Sequence, residues 1–378
     1  MRLGFLIYSY FPYGGQQRDF LNIVNECLRR GHEIDAYCLG WQGAKPDGIN
    51  VIKVPAKGMT RPRLYQHFTN WMTTALQDNR PDLVIGFNKM PLLDLYFAAD
   101  PCFEEKSRIE RGAYYRFTGR YRHFRAYEEA VFGLSSNTEV MILSPQQRRA
   151  FLTYYPNCES RLHEMPPGIS RDRMVSVDDS SHRRSVRQAL GLGDEDLLIL
   201  QIGSGFKVKG VDRSLQAVAA LPDSLRVRCR YLLIGQDKPA RFLKLARKLG
   251  IAERVTILPG QDDIPRFLAG ADLLLHPAYR ESAGYVLLEA TIAGLPVLTT
   301  QTCGYAFHIE QAGSGKVCPE PFSQNELNKH LADMLARLDD APWSANGLEY
   351  GKQDELYRLA EAATDLIENM ASAGRVSA

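Results

Sequence analysis

The chain has 378 residues, two to three times the length of a typical domain of about 150 residues, so its length predicts two domains. Hydrophobic residues make up 45% and charged residues 24% of it, which is typical of globular proteins and excludes disordered, collagen-like and coiled-coil chains. The 46 basic and 44 acidic residues leave a net charge of only +2, which by itself indicates no strongly charged partner.

Short apolar runs alternate with amphipathic stretches along the chain, a pattern typical of βαβ units and parallel sheets. In the first half, strands are predicted at residues 3–9, 33–39, 50–54, 82–87 and 138–143. A helix follows the first strand, because apolar residues from Phe20 to Leu28 recur at helical spacing, and Gly31 is expected to end it.

A second series of strands follows a pause at residues 166–168 and a polar stretch at 176–185. Its strands are predicted at 196–203, 229–235, 254–258, 272–276 and 295–299. We expect domains at 1–167 and 168–353, and a C-terminal helical segment at 354–378 that packs back on the first domain. The fold class is therefore α/β, with two Rossmann-like, doubly wound domains that face each other across a cleft.

The most informative motif comes directly after the strand at 272–276. Glu281 and Glu289 flank small residues that open a predicted helix, whose free N–H groups and positive dipole end suit an anionic ligand. Ionised carboxylates accept hydrogen bonds from vicinal hydroxyls such as those of a ribose or a sugar ring. Helix capping plus a solvated glutamate would also explain such a pair in isolation.

A glycine-rich loop at residues 203–210 follows the first strand of the same half. Its glycines allow close backbone approach, and either Lys207 or Lys209 could neutralise a diphosphate. It is neither a dinucleotide fingerprint nor a P-loop. Together with the two glutamates, it predicts a diphosphate held between a lysine and a helix start.

Residues 106–125, here called the basic segment, contain seven basic residues, one acid and five aromatic residues. Residues 1–164 carry 21 basic against 17 acidic groups, so without this segment's net +6 they would be at −2. Cations beside aromatic rings suit an anionic membrane surface, although a solvated surface helix or a nucleic-acid-binding arm would have a similar composition. The seven cations are Lys106, Arg108, Arg111, Arg116, Arg120, Arg122 and Arg125.

Targeting and redox signals favour a cytosolic location. The seven cysteines are scattered without a Cys-x-x-Cys pair, which is typical of reduced structural thiols. Neither a signal-peptide core nor an apolar run of 18 residues is present, so we expect a cytoplasmic protein.

These motifs together resemble the retaining glycosyltransferases of family 4, which have the two-domain GT-B fold and use nucleotide-sugar donors. The resemblance begins with Gly14-Gly15, Lys209-Gly210 and the Glu281-x7-Glu289 helix. It narrows to the lipopolysaccharide core glucosyltransferase I subgroup through longer runs and extends from residue 1 to about 365. Those runs lie at residues 10–20, 86–91, 209–214, 235–239 and 276–279.

The resemblance implies a role for each matching residue on the donor side. Lys209 would bind the diphosphate beside Gly15, and Glu289 would hold the ribose. Glu281, together with the backbone amides of Ala283, Gly284 and Tyr285, would bind the transferred sugar and β-phosphate, and backbone groups around Gln261 would contact the uracil. The family usually has an arginine where this chain has Ser204, so a second cation is expected from Lys207 or Arg173.

On the acceptor side, the resemblance places Asp19 near the reacting centre. Asn88 and Lys89 follow the strand at 82–87 and are expected to face the cleft and hold acceptor hydroxyls or phosphate. The first domain would thus bind the acceptor and the membrane, and the second would bind the nucleotide sugar. Resemblance to enzymes with a membrane-embedded, phosphorylated glycolipid acceptor favours the membrane interpretation of the basic segment. It implies a cytoplasmic protein that is peripheral on the inner face of the bacterial inner membrane, and no nucleic-acid partner is expected.

The predicted activity is transfer of a hexose, glucose with an α-1,3 linkage being favoured, from a UDP-sugar to the heptose region of the lipopolysaccharide inner core. The leaving diphosphate would assist retention, with Glu281, Asp19 and Lys209 as the catalytic groups. No cofactor is expected, and the lack of an Asp-x-Asp at a strand end favours a metal-independent site. Alternatives are UDP-galactose or a UDP-N-acetylhexosamine as donor, a UDP-sugar epimerase on the same fold, and a non-catalytic nucleotide-binding protein.

Overall fold

A computed structural model describes residues 1–12, 14–171 and 180–376 of the chain. The chain divides into two compact units. Unit 1 contains Met1–Gly168 and Arg358–Ala378, and unit 2 contains Ile169–Tyr357. The chain leaves unit 1 one residue after the boundary expected from the sequence and re-enters it at 358 rather than at 354.

Unit 1 is built on a seven-stranded parallel sheet with the order β5-β3-β1-β6-β7-β8-β9. Two further short strands, β2 and β4, pair with each other. The strands are β1 (Arg2–Leu6), β2 (Ser9–Tyr10), β3 (Glu33–Cys38), β4 (Gly40–Trp41), β5 (Ile49–Lys53), β6 (Leu83–Gly86), β7 (Leu95–Phe97), β8 (Glu139–Ile142) and β9 (Leu162–Glu164). The helices between them are α1 (Gly15–Arg29), α2 (Arg61–Asp78), α3 (Phe103–Glu110), α4 (Gly119–Phe132) and α5 (Pro145–Tyr154).

Burial on both faces of the sheet in unit 1 accounts for the continuous apolar runs of its central strands. Every residue of β6 is buried, as expected for a strand with both faces covered. On α1, residues at helical spacing are buried, and the ring of Phe20 packs edge-on against that of Phe5 on β1, with centroids 5.9 Å apart. Gly31, with φ of +83°, follows the end of α1 as predicted.

Unit 2 contains a six-stranded parallel sheet with the order β12-β11-β10-β13-β14-β15. Its strands are β10 (Leu197–Ile202), β11 (Cys229–Ile234), β12 (Val255–Leu258), β13 (Leu273–His276), β14 (Val297–Thr300) and β15 (Gly315–Cys318). Its helices are α6 (Ser180–Ala189), α7 (Val211–Ala219), α8 (Asp223–Arg226), α9 (Ala240–Lys248), α10 (Ile264–Gly270), α11 (Tyr285–Ile292), α12 (Ala306–Ala312), α13 (Gln324–Ala336) and α14 (Trp343–Tyr350).

The last helix, α15 (Leu359–Val376), belongs to unit 1 and packs along α1. Arg30, directly after α1, donates hydrogen bonds to the carboxylates of Asp365 and Glu368 at 2.6 and 2.8 Å. His32 contacts the same Glu368 at 2.8 Å. These contacts fix the C-terminal helix on the first half of the chain.

The predicted class, two Rossmann-like α/β domains, is confirmed. All ten predicted strands form, with bounds that shift by up to three residues. The pattern missed β4, β7, β9 and β15. The first has two residues, the next two have three each, and β15 is a partly exposed edge strand of four. All seven cysteines are buried free thiols.

Candidate functional site

The strand order of unit 2 places its candidate site at one position. From β10 the chain runs outward through β11 and β12, and then returns to the other side of β10 with β13. Ligands of doubly wound sheets bind at the carboxyl ends of the strands, at such a switch point. The glycine-rich loop follows β10 and the Glu281 motif follows β13, so the two sequence motifs meet there.

Contacts made by the backbone of Lys209 and of the next residue hold this lysine in position. Gln201, a buried residue of β10, donates from Nε2 to the Lys209 carbonyl at 2.7 Å, and its own Oε1 accepts from the hydroxyls of Ser214 and Tyr231. The next residue, Gly210, has φ of +69°, and a Cβ there would lie 2.0 Å from the Pro277 carbonyl oxygen. Only glycine therefore allows the β10 loop to pack so closely on the β13 loop.

The side chains of Lys209 and Glu281 form an ion pair across the switch point. Both are mostly buried, with 21% and 17% of their side chains exposed. Burial lowers the pKa of Lys209 from its ordinary value. The pair thus sets a cation and a carboxylate side by side where a polar ligand can reach both.

Helix α11 begins at Tyr285, one turn later than the small residues at 282–284 suggested. Gly284 precedes it with φ of +97°, a left-handed conformation that favours glycine. The loop before the helix is fixed by N–H groups of the 303–305 loop, since Gly304 donates to the Glu281 carbonyl at 3.0 Å and Tyr305 to that of Ala283 at 2.7 Å. In the first turn of α11 the Leu287 N–H donates to the Gly284 carbonyl at 2.9 Å, and the positive dipole end at this helix start suits an anion.

The other predicted donor residues of unit 2 lie on the same edge or in the same helix. Glu289 is buried on α11, with 7% exposure. Gln261 lies in the loop after β12 and donates to the Pro259 carbonyl at 3.2 Å. Lys207 is exposed on the glycine-rich loop, whereas Arg173 lies outside the described residues.

Ser204, the position where the family usually has arginine, has a local structural role. Its Oγ accepts a hydrogen bond from the backbone N–H of Gln236 at 3.0 Å, which joins the loops after β10 and β11. Of the two predicted second cations, Lys207 is the one that lies within the described residues, and it is exposed on this loop.

His276 is a buried titratable residue beside the Lys209–Glu281 ion pair. It ends β13 and is fully buried, with its Nε2 3.5 Å from Glu281 Oε2. Neither ring nitrogen makes a hydrogen bond to any residue that the structure describes. Burial, with a smaller contribution from the charge of Lys209, lowers the pKa of His276 to about 3, so the imidazole is neutral at physiological pH.

Unit 1 has a corresponding switch point between β1 and β6. Gly15 begins α1 there, and a Cβ built on it would meet no atom within 4 Å, which leaves open space beside the helix start. One turn further along α1, Asp19 is buried, with 1% exposure. Asn88 follows β6 and accepts the Tyr8 N–H on Oδ1 at 2.9 Å, so it joins the two loops of this edge.

Lys89 requires a correction. Its ammonium group donates to Glu128 Oε1 at 2.5 Å and to the Pro101 carbonyl at 2.7 Å, and only 10% of its side chain is exposed. The lysine therefore points into unit 1 and neutralises a fully buried carboxylate, rather than facing an acceptor.

Two functional features were not among the predicted site residues. The hydrogen bond by which Gln201 holds the backbone of Lys209 has only a weak signal in the sequence, namely a polar residue within an apolar strand. The proximity of His276 to Glu281 follows from the short turn between β13 and α11, yet its lack of hydrogen-bond partners depends on packing that a sequence pattern does not show.

The two units and the switch-point site define a glycosyltransferase of the GT-B fold. The family model for glycosyltransferase family 4 matches residues 13–173, and the model for group 1 glycosyl transferases matches residues 182–342. The chain is 44% identical over 368 residues to the lipopolysaccharide glucosyltransferase WaaG of Escherichia coli K12, covering 97% of this chain and 98% of the relative. The chain belongs to the family of this glucosyltransferase, and it is a hexosyltransferase.

Solved structures agree with this assignment. A crystal structure of WaaG, described as a glycosyltransferase involved in lipopolysaccharide biosynthesis, superposes with a TM-score of 0.90 at 44% identity, covering 97% of this chain and 99% of that one. Sucrose-phosphate synthase from Thermosynechococcus elongatus superposes with a TM-score of 0.77 at 18% identity, covering 98% and 99% of the two chains, and shows a shared fold. Among the described residues, no helix has the length and hydrophobicity needed to cross a membrane.

Proposed function

We propose that this protein transfers glucose from UDP-glucose, with retention, to a heptose of the lipopolysaccharide inner core, through an α-1,3 linkage. The observation that carries the proposal is the Lys209–Glu281 pair beside the start of α11, at the switch point of unit 2, in a chain 44% identical over nearly its whole length to an E. coli lipopolysaccharide glucosyltransferase. This site combines a cation and helix amides for a diphosphate with carboxylates for hydroxyl groups.

In this proposal Lys209 and the α11 amides stabilise the diphosphate as it leaves. Positive groups fixed where negative charge develops lower the barrier without reorganisation during the reaction. Glu281 accepts hydrogen bonds from the transferred sugar, and Glu289 accepts them from the ribose. The diphosphate oxygen assists the incoming acceptor hydroxyl on the same face, which accounts for retention, and the fixed positive charges make a divalent metal unnecessary.

For the acceptor, the proposal uses the switch point of unit 1. Asp19 on α1 and Asn88 after β6 lie at this edge and are the proposed acceptor-binding residues. Lys89 has no part in it, because it is bound to Glu128.

The test is a turnover assay with the purified full-length protein and a lipopolysaccharide acceptor truncated at the inner-core heptoses. UDP-glucose, UDP-galactose and the two UDP-N-acetylhexosamines are compared, with and without excess EDTA. We expect transfer from UDP-glucose at an unchanged rate in EDTA, and an α-anomeric product by NMR. A faster reaction with another donor would reassign the sugar, and conversion of a UDP-sugar without acceptor would indicate an epimerase.

We further propose that the basic segment docks the protein on an anionic membrane surface in the cytoplasm. It spans the end of α3, a 3-10 helix at Ala113–Phe117 and the start of α4. Three apolar side chains are strongly exposed there, Ile109 at 76%, Tyr114 at 89% and Phe117 at 80%. Exposed rings among cations suit the interface between lipid headgroups and acyl chains.

The seven cations of the basic segment are not equivalent. Arg108 donates to the buried Glu104 carboxylate at 2.7 Å, and Lys106 is half-buried. The remaining five, which carry the proposed attraction, are exposed: Arg111, Arg116, Arg120, Arg122 and Arg125.

Replacing Arg116, Arg120 and Arg122 with glutamine is expected to weaken binding to vesicles of anionic phospholipid by about 100-fold at low salt, since each cation near such a surface contributes about 1 kcal/mol. Flotation or co-sedimentation measures the effect, which should shrink as added salt screens the attraction. The matched control replaces Arg241, Lys244 and Arg247, three exposed cations of α9 in unit 2. Equal losses in the two triple variants would reject the basic segment as the docking surface.

A further inference from the structure

The ion pair between Lys209 and Glu281 conflicts with the roles that the proposed function gives them. When the donor is bound, Lys209 must turn toward the diphosphate and Glu281 toward the sugar hydroxyls. Each group then loses at least part of its contact with the other. A mostly buried carboxylate that loses its cation needs another donor, because burial without a hydrogen bond is unfavourable.

His276 has the position and the spare hydrogen-bonding capacity to be that donor. Its Nε2 lies 3.5 Å from Glu281 Oε2, slightly beyond hydrogen-bond range, and the ring is fully buried without a hydrogen bond to the described residues. Its backbone is anchored at the end of β13, where the carbonyl of His276 accepts from Thr299 Oγ1 at 2.9 Å. A small movement of the Glu281 side chain is enough to bring the two groups together.

We propose that His276 is a positioning residue, which donates its Nε2 hydrogen to the Glu281 carboxylate when Lys209 moves to the donor diphosphate and so keeps that carboxylate aimed at the sugar. The proposal rests on the proposed function and extends it. It assigns to this histidine a role that depends on the sugar and not on the nucleotide.

The charge state of His276 fits this role. A neutral imidazole carries one donor, and a buried histidine with a pKa of about 3 stays neutral under assay conditions. The charged groups that face it are Lys209 and Glu281. An imidazolium beside Lys209 would instead be repelled by the ammonium group.

The experiment compares two amide variants, His276→Gln and His276→Asn. Glutamine places its amide N–H near the former Nε2, whereas the shorter asparagine reaches only the former Nδ1. We expect His276→Asn to weaken UDP-glucose binding or lower kcat by about 10- to 100-fold, the range for a hydrogen bond to a charged group, with UDP affinity unchanged. His276→Gln should recover most of this loss.

Titration calorimetry with UDP and with UDP-glucose separates positioning from a general structural defect, and thermal unfolding verifies that each variant is folded. The matched control is His308→Asn, since His308 is a buried histidine of the same unit whose Nδ1 contacts the Tyr350 hydroxyl at 2.6 Å. It should leave the ratio of UDP-glucose to UDP affinity unchanged. In the double variant with Glu281→Gln, His276→Asn should have little additional effect, because the two changes remove one interaction.

Equal weakening of UDP and UDP-glucose binding by His276→Asn would overturn the proposal, as would identical behaviour of the Asn and Gln variants. Either result leaves the proposed function intact provided that the wild-type protein transfers glucose. Failure of the wild-type protein to bind UDP-glucose or to transfer sugar would reject the proposed function itself.

Discussion

Replacing Lys209 with methionine is expected to lower kcat/KM for sugar transfer by about 10²- to 10³-fold. Losses of this size follow removal of one preorganised group that stabilises developing negative charge. Methionine keeps much of the apolar stem but removes the ammonium group, so the departing diphosphate would lose the cation that lies beside the start of α11. Initial rates of UDP release in the presence of acceptor measure the effect, and calorimetry measures the accompanying loss of UDP affinity.

Lys316→Met is the matched control for this prediction. Lys316 is also an ion-paired lysine of unit 2, with its Nζ 2.5 Å from Asp333 Oδ2, but it lies on the edge strand β15. Its replacement should leave both rate and UDP affinity within about twofold, since a partly exposed pair contributes little. If Lys209→Met retained the wild-type rate, or if both variants lost activity equally, Lys209 would have no specific role in transfer.

The site that contains Lys209 could be predicted from the sequence only in part. The run of small residues and two glutamates after a strand predicted an anion site at one end of a helix, and that motif is local. The loop pattern by itself left open whether Lys207 or Lys209 takes part, because the two are only two residues apart, and the choice of Lys209 rested on the family resemblance. The answer depends on β13 returning to the side of β10, which brings Glu281 against a lysine 72 residues earlier.

Lys89 is a residue for which the sequence predicted a ligand-binding role and the structure shows a buried ion pair instead. A lysine in the loop after a central strand is a reasonable ligand-binding residue, since such loops carry many functional groups. Its actual partner, Glu128, lies 39 residues later on α4, and no pattern in the sequence links the two. Strands are predictable from apolar runs because burial is encoded locally, whereas pairing between distant charges depends on how the elements pack.

The Glu128 carboxylate is the centre of a buried network that joins α4 to the start of α3. It accepts the Lys89 ammonium, the backbone N–H groups of Phe103 and Glu104 at 2.6 and 2.8 Å, and the Tyr155 hydroxyl at 3.1 Å. The two N–H groups are first-turn donors of α3, so the carboxylate also caps that helix. The basic segment begins in α3 and continues into α4, and this network holds the two helices together.

Replacing Lys89 with methionine is expected to lower the free energy of unfolding of unit 1 by about 3–5 kcal/mol, because it leaves a fully buried carboxylate without its cation. Urea unfolding followed by tryptophan fluorescence measures the change. A Trp343→Phe background leaves only Trp41 and Trp71, so the signal reports unit 1 alone.

Two comparisons make this result specific. Arg80→Met breaks a more exposed pair of unit 1, with Asp94, and should cost no more than about 1 kcal/mol. The double variant Lys89→Met with Glu128→Gln removes both charges and should recover part of the stability lost in the single variant. If Lys89→Met unfolded at the same urea concentration as Arg80→Met, the buried pair would not stabilise unit 1, and an acceptor role for Lys89 would again be open. With the expected loss, vesicle binding by the basic segment should weaken as well, because the network that joins α3 to α4 would be loosened.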